Sequence, residues 1–218
     1  MTNELSILIG GQAGQGIQSI GQVLARAFMR SGYGVFSMQE YESRIRGGHS
    51  LTRLRIAGQR VDCHVPEIDL LIALDEETIS LHQSELTTGA LVIFDSGRVK
   101  QNYEGRGFLG LDLSRICRES GGLSAMSNTV ATGAAWAVLG LDIAVAERVL
   151  ETNFARRGRE AIEKNIAVLR AGYGLGKPFC QKPMNLAEPG NGGEEPLFIS
   201  GSDAVALGAL AAGAGFYS

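Results

Sequence analysis

Apolar and polar positions change period repeatedly along this chain, and each change marks an element. Residues 5–9 are a short apolar run, the mark of a strand. Ile20, Val23, Leu24, Ala27 and Phe28 then recur at helical spacing and predict a helix over 17–31 with one buried face. Gly32 and Gly34 close it, and residues 35–38 read as a second strand. A polar stretch covers 39–50. Residues 51–56 then alternate, and a turn at Gly58 and Gln59 with 60–63 returning predicts an antiparallel hairpin. Continuous apolar runs at 69–74 and 90–94 suit strands buried on both faces, with a helix over 75–86 between them. Residues 107–113 read as one more strand and 128–141 as an apolar helix of small residues. Residues 143–152 follow as a helix capped by Asp142, and 158–171 as an amphipathic helix ended by Gly172. Strands alternate with helices and one hairpin is inserted. The expected fold is α/β, a three-layer α/β/α sandwich around a mixed, mainly parallel sheet.

Composition changes at the C-terminal side. Residues 177–196 carry Pro178, Pro183, Pro189 and Pro196 together with Gly192 and Gly193, which reads as a linker. Beyond it, 197–200 reads as a strand and 204–214 as a small-residue helix. One strand and one helix cannot bury a core. The division expected is therefore a main domain over 1–176, a linker over 177–196, and the opening of a second domain over 197–218.

The bulk properties narrow the classes. A chain of 218 residues, 44% hydrophobic and 20% charged, is sized for one substantial globular domain. A net charge of −3 gives no sign of nucleic acid or anionic membrane as a partner. No run approaches the ~20 apolar residues of a membrane span, and the N-terminus lacks the marks of a secretory signal. Cys63, Cys117 and Cys180 are far apart, with no C-x-x-C, so a local zinc or iron–sulfur ligand set is not indicated; core packing is the role expected of each. A cytoplasmic location follows.

The first candidate site is G-G-Q-A-G-Q-G, residues 10–16, between the first strand and the first helix. A helix N-terminus offers free backbone N–H groups and a favourable dipole for phosphate, and glycines let the main chain approach a ligand. Neither standard fingerprint fits. The G-x-G-x-x-G frame has Ala13 in its middle position, and where a P-loop needs lysine and a hydroxyl residue this chain has Ile17 and Gln18. A phosphorylated ligand suits the turn; nucleoside triphosphate hydrolysis does not.

The second is Y-E-S-R-I-R-G-G-H-S, residues 41–50, where Arg44 and Arg46 flank a glycine pair beyond the end of a strand. Taken with the glycine turn, with P-E-I-D-L-L-I-A-L-D at 66–75 and with S-N-T-V-A-T-G at 127–133, it resembles the gamma domain of the 2-oxoacid:ferredoxin oxidoreductases over roughly 4–175. The tail, L-F-I-S-G-S-D-A-V-A-L-G-A-L-A-A-G at 197–213, looks like the start of the alpha domain of the same family.

The resemblance implies the N-terminal portion of a fused gamma-alpha subunit. It implies an enzyme that converts a 2-oxoacid and coenzyme A into acyl-CoA and carbon dioxide with electrons passed to ferredoxin. In that family the gamma domain helps hold coenzyme A. Thiamine diphosphate, Mg and iron–sulfur clusters belong to partner domains, and the alpha continuation and a beta subunit are the expected partners. A homodimer is allowed, and the chain alone is expected to be inactive. The residues the resemblance carries over for coenzyme A are Gly11, Gln12, Ala13, Gly14, Gln15 and Gly16 in the turn, Ser43 and Arg44 in the loop, and Asn128 and Thr129 at the later helix start. Arg46 is added on charge and position. No catalytic residue and no metal ligand is expected. Pyruvate, 2-oxoglutarate, branched-chain acids and aryl pyruvates all remain open as the substrate.

Plainer roles compete. Arg44 and Arg46 also suit ion pairs at a subunit interface. His49 and His64 fit structural hydrogen bonds, and His82 falls on an exposed-looking helix. Asp75 and Asp95 end apolar strands and suit caps. Trp136 suits packing within a small-residue helix. Two other functions stand beside the first: a free-standing NAD- or FAD-binding oxidoreductase, in which Glu40 would hold a ribose, and a purely structural assembly subunit.

Overall fold

The apolar run that opens the chain becomes the middle of a six-stranded sheet, because every second residue of it faces a different helical layer. The computed structural model describes residues 4–42, 48–103, 105, 107–180 and 198–216. In it the strands are β1 (Glu4–Gln12), β2 (Gly34–Tyr41), β3 (His49–Ala57), β4 (Ile68–Ala73), β5 (Leu86–Asp95) and β6 (Phe108–Leu111), in the order β2-β3-β1-β4-β5-β6. β1, β4, β5 and β6 run parallel, while β3 is antiparallel to both β1 and β2. This is the mixed α/β sandwich expected.

Leu5, Ile7 and Ile9 of β1 join Leu54, Ile56, Leu70 and Ile72 in the larger core. It is covered by α1 (Ile17–Arg30), α3 (Leu113–Glu119), α4 (Ser127–Val138), α5 (Ile143–Phe154) and α6 (Arg159–Gly176). Leu8, between them in sequence, points the other way and meets Leu51, Leu71, Val92 and Phe94 beneath α2 (Glu76–His82). The period of two in a strand divides one sequence between two cores.

The antiparallel pairing exists, but its partners differ from those expected. Residues 60–63 form no strand; β3 pairs instead with β2, from Gly34 opposite Ala57 to Tyr41 opposite Ser50. Arg60 pairs with Asp62 at 2.8 Å, and Arg55 Nη1 donates to the Cys63 carbonyl at 3.2 Å. Those contacts hold the segment as an irregular return.

Gly172 does not end α6, which continues to Gly176. It is a packing residue: a Cβ there would lie 2.0 Å from the Val130 carbonyl oxygen of α4, and one on Gly133 would lie 2.1 Å from the Leu169 carbonyl oxygen. Glycine on both helices lets two backbones touch.

Trp136 is fully buried, its ring centroid 5.0 Å from that of Phe28 and its Nε1 donating to the Asp142 carbonyl at 2.7 Å. Asp142 itself caps α5 by accepting from Ala144 N at 3.0 Å. Cys117 is buried as expected, but Cys63 and Cys180 are exposed, so core packing is not their role. Residues 198–200 form no strand; they lead into α7 (Gly201–Ala211), which has a Ser200–Asp203 capping box and no buried residue. The linker expected over 177–196 begins with a 3-10 turn (Lys177–Phe179) and otherwise lies largely outside the described residues. Among the described residues no helix is long and apolar enough to cross a membrane.

Candidate functional site

β1 runs out at Gln12, and the chain reaches α1 in four residues by placing Gly14 at φ 90° and Gly16 at φ 80°. Both values favour glycine. Gln15 ties the turn to itself: its Oε1 accepts from Gln12 N at 2.8 Å, and its own N–H donates to the Gln12 carbonyl at 3.1 Å. Ala13 N donates to the Gly48 carbonyl at 3.2 Å, which sets the turn beside the base of the polar loop. α1 then begins with no side-chain cap and no acidic residue in its first turn. Among the described residues no acceptor meets the backbone N–H groups of Gly14, Gly16, Ile17 and Gln18. Unpaired donors at a helix N-terminus form an anion-binding position.

α4 closes over this turn. Asn128 Nδ2 donates to the Gln15 carbonyl, and a Cβ on Gly16 would lie 2.0 Å from that same nitrogen. Its neighbour Thr129 donates from Oγ1 to Oδ1 of the buried Asn165 at 3.3 Å, while Asn165 Nδ2 donates to the Ala161 carbonyl at 2.8 Å.

A cleft of about 720 Å³ opens between these elements. Its floor is the set of residues just beyond the C-terminal ends of β1, β4, β5 and β6: Gly14, Gln15 and Gly16, then Leu74, Asp95 with Arg98, and Ser114. In α/β sheets ligands bind outside the carboxyl ends of the strands. Asn128 and Thr129 form one wall, and Phe154, Arg157 and Asn165 form the far end.

Three charged side chains line the cleft. Asp95 is nearly buried, and burial pushes its carboxyl above the ordinary range, against the pull of the Gly97 and Leu113 amides. Those amides donate to it at 3.0 and 3.4 Å, the capping role expected, and Arg98 Nε lies 3.4 Å from its other oxygen. Arg157, on the 3-10 turn Ala155–Arg157, lies over the Phe154 ring at 5.4 Å.

The structure thus brings together Gly14, Gln15, Gly16, Asn128 and Thr129 from distant parts of the sequence. Gly11 is buried below them, where a Cβ would meet Gln15 Oε1 at 2.3 Å, and Gln12 and Ala13 support the turn without lining the cleft. Ser43, Arg44 and Arg46 lie outside the described residues. Arg98, Arg157 and Asn165 escaped the sequence reading. Arg98 carried a usable signal, three residues past Asp95 at a strand's carboxyl end; Arg157 and Asn165, on a turn and a helix far along the chain, carried none.

A second polar group lies on the opposite face of the sheet. His49 Nε2 and His82 Nε2 are 3.1 Å apart, and His82 Nδ1 is 2.9 Å from Glu85, which also pairs with Arg53. His82 is therefore buried, not exposed, because α2 lays its histidine onto the sheet. Asp75 caps α2 as expected, accepting from Thr78 N at 3.0 Å. Among the described residues no group of three or more His, Cys, Asp or Glu comes together as a metal site.

A mixed sheet with a glycine turn, unpaired amides and a cleft at the carboxyl ends of its parallel strands defines the architecture as an α/β domain. The family model described as pyruvate ferredoxin/flavodoxin oxidoreductase matches residues 6–175, and the chain belongs to that family. It is 30% identical over 178 residues to the 2-oxoglutarate synthase subunit KorC of Archaeoglobus fulgidus, covering 81% of this chain and 90% of that one. It is 24% identical over 257 residues to subunit alpha of 2-oxoacid:ferredoxin oxidoreductase 2 of Aeropyrum pernix, covering 97% of this chain and 40% of that subunit. Among solved structures, 2-oxoglutarate:ferredoxin oxidoreductase from Magnetococcus marinus, with 2-oxoglutarate, coenzyme A and succinyl-CoA bound, superposes with a TM-score of 0.81 at 23% identity. That match covers 96% of this chain and 37% of the other. The gamma subunit of a keto/oxoacid ferredoxin oxidoreductase from Geobacter sulfurreducens gives a TM-score of 0.65 at 25% identity, over 79% of this chain and 98% of that subunit. This chain therefore spans nearly all of KorC and of the Geobacter gamma subunit, and about two fifths of the Aeropyrum alpha subunit and of the Magnetococcus chain.

Proposed function

We propose that this chain is the gamma-domain portion of a multi-subunit, cytoplasmic 2-oxoacid:ferredoxin oxidoreductase, and that its cleft helps bind coenzyme A. The reaction assigned to the assembled enzyme is oxidative decarboxylation of a 2-oxoacid to acyl-CoA, carbon dioxide and reduced ferredoxin. Thiamine diphosphate, Mg and iron–sulfur clusters are assigned to the alpha continuation and the beta subunit, and this segment is not catalytic alone. Residues 1–176 are assigned to the gamma domain and 197–218 to the first part of an alpha domain.

The observation that carries this reading is the run of unpaired amides at the start of α1, of which those of Gly14 and Gly16 belong to residues lining the cleft at the carboxyl ends of the parallel strands. A pyrophosphate suits such converging N–H groups. Coenzyme A in the related Magnetococcus enzyme supports the choice of ligand. In this reading Gly14, Gln15 and Gly16 approach the ligand, Asn128 holds the turn, Thr129 lines the cleft beside it, and Gly11, Gln12 and Ala13 support the turn from below. Arg44 and Arg46 supply charge, and Ser43 a hydroxyl, from the segment between β2 and β3. The assembly role is supported by α7, which presents Val205, Leu207 and Leu210 to solvent.

The NAD or FAD alternative is disfavoured by the sheet order. A ribose-binding acid belongs on the strand next to β1, but β3 intervenes, so Glu40 on β2 stands about 10 Å away across two strand spacings. Calorimetric titration with coenzyme A, NAD and FAD tests the choice. Heat of binding with coenzyme A alone is the expected result. Binding of NAD or FAD in preference sinks it, and binding of none of them favours a purely structural subunit.

A further inference from the structure

The cleft has two anion-attracting ends. At the first, the start of α1, the donors are backbone amides and no side-chain cation lines the cleft beside them. At the second, the end of α5, Arg157 stands as a side-chain cation. Arg98, between them, is partly neutralised by Asp95 at 3.4 Å, whereas Arg157 has no carboxylate partner among the described residues. The local backbone is shaped to present it: Gly158 follows at φ 89°, turning the chain sharply from the 3-10 turn into α6. Phe154 beneath is half-buried and packed on the core, so the guanidinium rests on a fixed ring. An arginine whose guanidinium lies over an aromatic ring keeps its outer side for a second planar group and its N–H edge for a phosphate.

A ligand that satisfies both ends carries two separate phosphate groups with a flat ring near one of them. On the coenzyme A reading, from which this inference starts, those are the pyrophosphate and the 3′-phosphate beside adenine. We infer that Arg157, placed over the Phe154 ring, binds the ribose 3′-phosphate of coenzyme A and is the residue that separates coenzyme A from dephospho-coenzyme A. The pyrophosphate then takes the amides of α1, and the adenine lies against the guanidinium face.

A cation at the end of α5 also suits the helix dipole, and that role alone would affect stability without selecting between ligands. The test is therefore a ratio. Calorimetric titrations of the 218-residue chain with coenzyme A and with dephospho-coenzyme A, at low salt, compare the native protein with Arg157→Gln and Arg157→Lys. The native chain should bind coenzyme A about tenfold more tightly than the dephospho form, as expected for one charge-assisted contact. In Arg157→Gln the two should bind alike, with dephospho-coenzyme A affinity within about twofold of native; Arg157→Lys should retain part of the ratio. A ratio that survives Arg157→Gln, or equal binding of the two ligands by the native chain, overturns the inference and leaves the coenzyme A reading standing. Absence of binding by both ligands overturns the reading and this inference together.

Discussion

His49 and His82 meet nitrogen to nitrogen, their Nε2 atoms 3.1 Å apart in a buried position between β3 and α2. One must donate and the other accept. Glu85, 2.9 Å from His82 Nδ1, accepts from that nitrogen, and in the tautomer this selects, His82 Nε2 accepts and His49 Nε2 donates. That leaves His49 Nδ1 a bare lone pair, and it is buried without a hydrogen-bond partner. A proton there would add a buried charge with no acceptor.

Acid should therefore weaken the fold through His49. Burial, then His82, lowers its pKa below the ordinary 6.5, against the smaller opposing pull of Asp75, Glu77 and Glu42. Between 6.5 and the lower folded value the unfolded chain binds more protons. This contribution to stability is whole above that window and is lost as pH falls through it. His49→Gln should flatten the dependence of melting temperature on pH in that window. Parallel curves for variant and native protein would contradict the assignment.

The glycine turn should respond differently at its two left-handed positions. Gly14→Ala meets nothing within 4 Å and should cost only its backbone strain, roughly 1–2 kcal/mol. Gly16→Ala adds a collision with Asn128 Nδ2 and should cost more. Asn128→Ala in the Gly16→Ala background should recover the difference but not the strain, as read by denaturant unfolding. Equal effects at both glycines would show that Asn128 can move aside freely.

Within α6, two glycines two residues apart should have opposite effects. Gly172→Ala drives a methyl against the α4 backbone at Val130 and should destabilise by about 1–3 kcal/mol or more. Gly174→Ala meets nothing within 4 Å and should stabilise by roughly 0.5–1 kcal/mol through helix propensity. Urea midpoints give both numbers, and a loss of stability at Gly174 would refute the packing account.

Arg44→Ala, on the proposed function, should raise the coenzyme A requirement of the assembled enzyme by about tenfold and make it less sensitive to salt. Decarboxylation without coenzyme A should proceed at its native rate. A normal coenzyme A dependence in a complex that falls apart would assign the arginine to an interface.

Much of the layering was legible in the sequence because it follows from local periodicity. The run at residues 5–9 and the spacing of Ile20, Val23, Leu24, Ala27 and Phe28 each have one solution that buries their apolar side. Asp75 and Asp142 could be read as caps because a capping contact spans only two or three residues. The glycine turn was legible for the same reason. Several of the misreadings were questions of partnership. Residues 60–63 had some strand character, but β2 offered β3 a longer ladder, eight paired positions from Gly34 to Tyr41. Gly172 has the composition of a helix stop, yet the approach of α4 gave it a different use. His82 lies on a mostly polar helix, and its burial depends on His49 and Glu85 being there to satisfy it.

The sequence by itself determined where most of the strands and helices form, that the sheet is mixed, where the glycine turn lies, and the family, since each of these is written in short segments. Only the tertiary structure decided that β3 separates β2 from β1, that Asn128 locks a turn 113 residues away, and that Arg98 and Arg157 face the same cleft. Contacts between distant segments depend on which surfaces remain to be buried once the local elements exist. No short window of sequence contains that information.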